Sequence, residues 1–308
     1  MNKHVVNQLS DTDLRLLRIY RTVVESGGFS AAEAVLNIST AAISAAVTDL
    51  ETRLGFRLCE RGRAGFSLSS EGREIYQYIL QLLSAIENFK TQVNDLHSTL
   101  KGELNIGITD NLVSMPKMHI TDSLAKLKDA GPDVIVNIRM IPPIDIERGV
   151  LNGNLHIGIL PRLKQLKGLE YTDLYRETSK LYCAAKHPLF KGDDSQIDLQ
   201  RWSAVLPRYE QSAEIKQQLQ QLKTEGAASA TDREGIAFLI LTGRYIGYLP
   251  DHFAERWVDA GTLRVLETPD NTFETQMSVI TRKGAAINPV AQVYLNDLLA
   301  YQRAEQAH

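Results

Sequence analysis

Apolar side chains recur at helical spacing from Leu14 to Ser26, where Leu14, Leu17 and Val24 join Leu16, Tyr20 and Val23, behind the acidic Asp11 and Asp13 and ahead of Gly27-Gly28. That pattern predicts an amphipathic helix with a complemented dipole at its start and a glycine stop. Ser30-Ala-Ala-Glu33 has capping-box spacing, with Phe29 at the staple position, and predicts a short second helix that Asn37 ends. Ser39 then caps a third stretch, STAAISAAVTDLETRLG, in which Ile43, Val47, Leu50 and Leu54 share one stripe. The opposite side carries Ala41, Ala45, Thr48 and Thr52, with Ser44 beside them. Surface helices normally hang Lys and Glu there, so a small, uncharged outer face needs a reason.

Helix, short helix, tight turn and helix is the helix-turn-helix order, whose last member enters a major groove. A groove about 12 Å wide admits a helix only if the inserted face is not bulky, and Ser/Thr hydroxyls and Ala methyls reach base edges and thymine methyls. The other reading of such a face is packing against a further helix. The flanking residues favour DNA. FRLCERGRAGFSLSSEG brackets Gly62-Arg63-Ala64-Gly65 with two alternating apolar pieces, a hairpin signal, and from Arg53 to Arg73 five Arg (53, 57, 61, 63, 73) stand against two Glu (60, 71). A positive hairpin suits a wing beside phosphates, and a solvated charged turn is the plainer alternative.

Ser69 can cap the next helix, in which Ile75, Ile79, Leu82, Ile86, Phe89, Val93 and Leu96 are spaced alternately four and three residues apart. A heptad seam kept for about three heptads, over roughly 40 Å of helix, suits a partner helix and predicts dimerisation. An amphipathic helix lying on its own domain is the competing reading. Ser98 to Gly102 breaks the pattern as a hinge. LNIGIT, a helix to Asp129, VIVNIRM, a helix around Ile144 to Leu151, and LHIGIL then make a βαβαβ order and imply a parallel sheet. Strands follow at LEYTDL, KLYCAA, SAVLP, AASAT and YIGYLP, with helices at 211–226 and 232–242. TQMSVITR and a helix at 288–304 return to the first block, giving two α/β lobes joined by two crossings.

A chain of 308 residues is too long for one ordinary core, and 44% hydrophobic with 23% charged residues is a globular composition. The net charge of -3 carries no global basic signal, so a nucleic-acid surface has to be local. Residues 1–10 hold no apolar leader-like run, and no segment reaches the roughly 18 apolar residues of a membrane span, so a cytoplasmic protein with no membrane partner is expected. Cys59 and Cys183 lack CxxC or Cys/His spacing and read as buried small hydrophobes. GxSxG, P-loop, HExxH and metal-spaced clusters do not occur, and the seven His are scattered. Neither an enzyme nor a cofactor nor a metal is expected; a solute-binding protein or enzyme with an accessory helical domain is the alternative.

The sequence resembles the LysR-type transcriptional regulators over nearly its whole length. The likeness is carried by LRLLRIYRTVVESGGFSAAEAVLNIS, AAISAAVTDLETRLGFRLCER and FSLSSEG, and more weakly by LNIGIT, HPL, GYLP and GTLRVL in order. It implies an N-terminal all-α winged helix-turn-helix, a long linker helix that pairs two subunits, and a C-terminal α/β two-lobed effector domain like a periplasmic binding protein. It also implies a homodimer or tetramer in which a small effector alters DNA bending or contact with RNA polymerase. The expected divisions are a DNA-binding domain at 1–69, a linker helix at 70–98, a hinge at 99–102 and an effector domain at 103–308. Within the last, lobe I takes 103–162 and 269–308 and lobe II takes 163–268. Thr40-Ala41 stands where the family usually has Gln followed by Pro or Ser, Cys59 where it has Phe, and His156 where it has Asp.

Double-stranded DNA is thus the first expected partner, with Ser39, Thr40, Ala41, Ser44, Ala45 and Thr48 facing bases and Arg53, Arg57, Arg61 and Arg63 near phosphates. A small-molecule effector is the second. In open α/β sheets ligands bind beyond the carboxyl ends of strands, which nominates Thr109, Asp110, Asn111, Pro161 and Arg162 from one lobe and Arg208, Tyr209, Thr231 and Asp232 from the other. Helices starting near Asn111 and Asp232 would aim N–H groups at an anion. Arg162 and Arg208 suit a carboxylate or phosphate, or are surface arginines; Asp110 suits a cationic group, which keeps a zwitterionic effector beside an anionic one.

Overall fold

The computed structural model describes residues 8–62, 65–95, 100–116, 118–192, 197–209, 211–268, 272–284 and 286–306. Two compact units emerge, one from the chain up to Phe89 together with residues 152–154, the other from the remainder beginning at Lys90.

The first unit starts with α1 (Asp11–Glu25), capped by a Ser10/Asp13 box in which the Ser10 N–H donates to the Asp13 carboxylate at 2.8 Å. α2 (Phe29–Leu36) begins before the predicted cap: Gly28 holds the N-cap position and Ser30 lies inside the helix. Glu33 closes no capping box. Its carboxylate instead accepts the Thr40 N–H at 3.2 Å and the Thr40 hydroxyl, bracing the start of α3 (Thr40–Leu54). Asn37 ends α2 in the left-handed region at φ 52°, and the Ser39 hydroxyl caps α3 by accepting from Ala42 N–H at 3.3 Å. Ile43, Val47 and Leu50 are buried with Leu16, Tyr20, Val23 and Leu58, each aliphatic contributing about 1.5–3 kcal/mol by leaving water. β1 (Cys59–Gly62) and β2 (Gly65–Leu68) form the antiparallel hairpin, held to α2 by an edge-to-face Phe29–Phe66 pair at 5.8 Å.

α4 (Ser70–Asp95) starts where Ser69 accepts the Gly72 N–H at 2.8 Å. The predicted seam is divided. Ile79 and Leu83 are buried in the first unit's core, and Ile75, Leu82 and Ile86 pack against it, whereas Phe89 and Val93 are 67% and 37% exposed. Leu96 lies outside the described residues. The first half of the seam therefore serves its own domain, which corrects the expectation of a partner helix along its whole length. A straight helix of 3.6 residues per turn drifts off a strict heptad, and here Leu83 is buried more deeply than Leu82.

In the second unit β3 (Glu103–Ile108) pairs in parallel with β4 (Ile135–Met140) and β5 (Ile157–Pro161), with α5 (Ile120–Ala130) and α6 (Pro143–Leu151) as crossovers. No α-helix starts near Asn111. Residues Leu112–Ser114 make a single 3-10 turn, Met115 is extended ahead of Pro116, and α5 begins only at Ile120. The two strands predicted at LEYTDL and KLYCAA are one 16-residue strand, β6 (Leu169–Ala184). Its first part pairs with β11 (Thr272–Arg282), and its end pairs with β9 (Gly247–Pro250) and β10 (Leu263–Val265). β6 and β11 are the two connections between lobes, so β6 belongs partly to lobe I although it follows residue 163.

The second lobe adds the parallel pair β7 (Ser203–Pro207) and β8 (Lys223–Ala230), with α8 (Arg233–Leu241) and α9 (Asp251–Asp259); α10 (Pro289–Gln306) returns to the first lobe, packing on α5. The helix predicted at 211–226 stops early, as α7 (Ala213–Leu219), because Lys223 onward pairs with β7. Separate apolar cores fill the lobes, one around Leu104, Ile157 and Tyr294, another around Tyr182, Ile236 and Leu249. Cys59 and Cys183 are buried, and among the described residues no single helix is long and apolar enough to cross a membrane.

One close approach fixes the junction of β1 and α4. The Tyr20 hydroxyl donates to the Gly72 carbonyl at 3.0 Å, and a Cβ at Gly72 would lie 1.9 Å from the Leu58 carbonyl oxygen. Gly72→Ala is therefore expected to destabilise the first unit by about 1–3 kcal/mol. Denaturant unfolding checks this, and an unchanged midpoint would mean that the junction yields at no cost.

Candidate nucleic-acid interface and ligand cleft

On α3, Ala41, Ala45, Thr48 and Thr52 are exposed, so nothing in the described chain packs on the bare face. Ser39 and Thr40 spend their hydroxyls on capping and on Glu33. The Thr48 hydroxyl donates to the Ser44 carbonyl at 2.9 Å, and Thr52 donates likewise to Thr48 at 2.8 Å. Each proton is thus used within the helix, and Thr48 presents outward a methyl and oxygen lone pairs, an acceptor without a donor. Hollows flank this ridge on both sides, one walled by Gly28, Ala31, Ser44 and Phe66, the other by Thr48, Thr52, Phe56 and Arg57.

The arginines are not equivalent. Arg53 is tied to Asp49 and Asp13, both at 3.1 Å, which braces α3 against α1. Its hydrogen bond and charge contact with Asp49, more than those with Asp13, hold the guanidinium above its usual pKa. Arg57 is exposed, and its backbone is anchored by the Ser69 hydroxyl donating to its carbonyl at 2.7 Å. Arg61 lies on β1 of the hairpin, and Arg63 lies outside the described residues.

Between the lobes of the second unit, Pro161, Leu163, Ser179, Val205, Tyr209, Gln211, Arg233, Ile236, Tyr248 and Thr275 are among the residues lining a narrow cavity of about 30 Å³. That holds about two water molecules. Among the described residues, Arg233 is its one charged wall residue. The Arg233 guanidinium is buried and bonds Asp110 at 2.9 Å and Glu177 at 2.8 Å, while its backbone N–H donates to Asp110 at 2.7 Å. Glu177, wholly buried mid-way along β6, also contacts His252 Nε2 at 3.1 Å, and the other ring nitrogen of His252 is 3.0 Å from Ser114 Oγ. Burial works to raise the Glu177 carboxyl, but the Arg233 charge and the contacts with His252 outweigh it and hold it below the usual range. Burial likewise opposes charge on Arg233, and the surrounding carboxylates, Glu177 first, more than offset it.

The geometry of a helix-turn-helix with a hairpin, followed by two α/β lobes, has known counterparts. The profile of the lysR-family bacterial regulatory helix-turn-helix proteins matches residues 14–73, and that of the LysR substrate binding domain matches residues 97–303. The chain belongs to the LysR family. It is 50% identical over 293 residues to the HTH-type transcriptional activator BauR of Pseudomonas aeruginosa, covering 94% of this chain and 95% of that one. Full-length CbnR crystallised with its target DNA shares the fold at 18% identity and a TM-score of 0.66, covering 94% of this chain and 99% of that one. Full-length LysG of Corynebacterium glutamicum with bound effector Arg does so at 16% identity and a TM-score of 0.52, covering 93% and 98%. The protein is a LysR-type DNA-binding transcriptional regulator with an effector-binding domain.

The predicted ligand residues of this LysR-type chain separate into groups. Pro161 and Tyr209 line the cavity, and Asp110 reaches it through Arg233. Arg162 pairs with Asp173 at 2.8 Å, Arg208 and Thr231 are exposed, and Asp232 caps α8 by accepting the Gly235 N–H at 2.7 Å. None of these four is on the cavity wall, nor are Thr109 and Asn111, which are buried beside Asp110. Arg233, Glu177, His252 and Ser114 were missed by the sequence reading. Glu177 sits in the polar run RETSK, which offers no local signal of burial. His156, in place of the usual Asp, accepts the Asn105 N–H at 3.2 Å through Nδ1, and burial pushes its pKa down to about 4.

Two outcomes test the DNA-facing surface. Arg57→Ala is expected to weaken binding to all sequences and to reduce the salt slope of binding by about one phosphate equivalent in gel-shift titrations; an unchanged slope removes Arg57 from the backbone contacts. Thr48→Val keeps the shape and removes the acceptor, so preference for an amino-bearing base, A or C, at one position of each half-site should fall by roughly fivefold, about 1 kcal/mol. Matching selected-site profiles for variant and parent would show that Thr48 reads no amino group.

Proposed function

We propose that this regulator binds a two-fold-related operator as a homodimer or dimer of dimers, with α3 of each subunit in a major groove and the hairpin beside the sugar-phosphate backbone. The observation that carries the reading is the exposure of Ala41, Ala45 and Thr48 on a face with no bulky or charged side chain. Ser44 lies beside them as a further base-facing group, and Arg57, with Arg61 and Arg63 of the hairpin, supplies phosphate contacts. Arg53, with two carboxylate partners, acts first as a brace.

The exposed end of α4 supports the subunit contact. Phe89 and Val93 are apolar and uncovered on the helix whose earlier turns are packed on their own domain. Between the lobes, the effector is a small anionic or zwitterionic organic molecule that meets Arg233 and Tyr209. The resemblance to the named activator favours positive regulation through contact with RNA polymerase, in the cytoplasm where operator DNA is found.

Phe89→Asp is expected to leave the fold intact and to shift the protein toward monomers in light scattering, with the footprint on DNA shrinking to one half-site. The parental oligomer persisting in that variant would move the subunit interface away from the exposed end of α4. Sequence selection on random duplexes tests the DNA reading itself, which requires a site with two-fold symmetry.

A further inference from the structure

Asp110 and Ser114 come from the first lobe, Arg233 and His252 from the second, and Glu177 from the strand that runs through both. Among the described residues, Asp110 to Arg233 and Ser114 to His252 are polar contacts that tie the lobes. Asp110 is held on both oxygens although its side chain is still partly exposed. One oxygen accepts the Arg233 guanidinium at 2.9 Å and the other accepts the Arg233 backbone N–H at 2.7 Å. Two convergent donors on one carboxylate make a receptor for a carboxylate, and the same guanidinium forms the wall of the inter-lobe cavity.

That cavity, about 30 Å³, is too small for an organic acid or amino acid. Such a molecule is admitted only if the lobes part, and parting them draws Asp110 from Arg233 and Ser114 from His252. A buried guanidinium left with one partner fewer is costly, so whatever enters is favoured if it returns a carboxylate to Arg233.

We propose that Asp110 is a built-in occupant of the effector's carboxylate site: a small carboxylate and Asp110 compete for the Arg233 donors, so the inter-lobe latch and the bound ligand exclude one another. This rests on the reading that the effector binds between the lobes. The unliganded regulator is held in the latched state by its own side chain, and the ligand acts by replacing that side chain. Glu177, itself held by His252, stays with Arg233 in both states and keeps the guanidinium aimed at the site.

The test is chemical rescue of full-length Asp110→Ala with sodium acetate, read by thermal unfolding against sodium chloride of equal ionic strength. The variant is expected to melt lower than the parent and to regain stability with acetate at least tenfold more sensitively than the parent does. The double variant Asp110→Ala/Arg233→Met is expected to lose the acetate response. Should Asp110→Ala not fold, Asp110→Asn keeps the shape and gives up one strong acceptor, and its acetate sensitivity must still exceed the parental value. An acetate response equal to the parent's in both single variants, or one that survives loss of Arg233, overturns the proposal. A screen of organic acids and amino acids separates the two readings. Compounds that stabilise parent and Asp110→Ala equally sink the latch and leave the cleft reading standing, whereas acetate rescue without any screening hit supports the latch and counts against the effector.

Discussion

A guanidinium taken out of water must be paired, and in the second unit that requirement organises everything around Arg233. Its partners come from three separate stretches of chain: the loop after β3, the middle of β6, and through Glu177 the start of α9. Glu177 is itself wholly buried, so neither charge tolerates the loss of the other. The 16-residue β6 bears on the same constraint. Running from one lobe to the other, β6 carries the Glu177 carboxylate to the line where they meet.

In the first unit the governing constraint is steric. The chain from β1 to α4 passes so close to itself at Gly72 that no side chain fits, and the Tyr20 hydroxyl ties α1 to that point. With the scaffold fixed, α3 turns Ile43, Val47 and Leu50 inward completely, which leaves the small residues outward. The bare face is therefore set by the buried one. Glu33 adds to this by holding the first residue of α3 through both its N–H and its hydroxyl.

Much of this was legible in the sequence because it depends on local signals. Ser39, Asn37 and Ser69 act at helix ends as their chemistry requires, and the alternation of strands and helices after residue 102 gives two lobes. Long-range pairing was not legible. Nothing near Arg233 in sequence announces Asp110 and Glu177, which lie 123 and 56 residues away. Arg162 and Arg208 stood out instead because they follow strands, yet one is satisfied by Asp173 and the other points to solvent. Glu33 was misread for a similar reason: its spacing from Ser30 fits a local cap, but its partner is Thr40, seven residues on. The seam of α4 misled in part because heptad spacing and a 3.6-residue stripe coincide over the first turns, and only burial tells them apart.

Charge in the first unit follows a division of labour that a count of arginines conceals. Arg53 is neutralised by Asp13 and Asp49, and Arg73 donates to the Leu68 carbonyl at 2.9 Å. Of the five, Arg57 is exposed just past the end of α3 and Arg61 belongs to β1 of the hairpin. The face between carries no charge. Phosphates attract cations without regard to sequence, whereas base edges reward shape and hydrogen bonds. A surface with Arg57 exposed at its edge and methyls and acceptors at its centre matches that order. A helix packing on another helix would have no need of the charged rim.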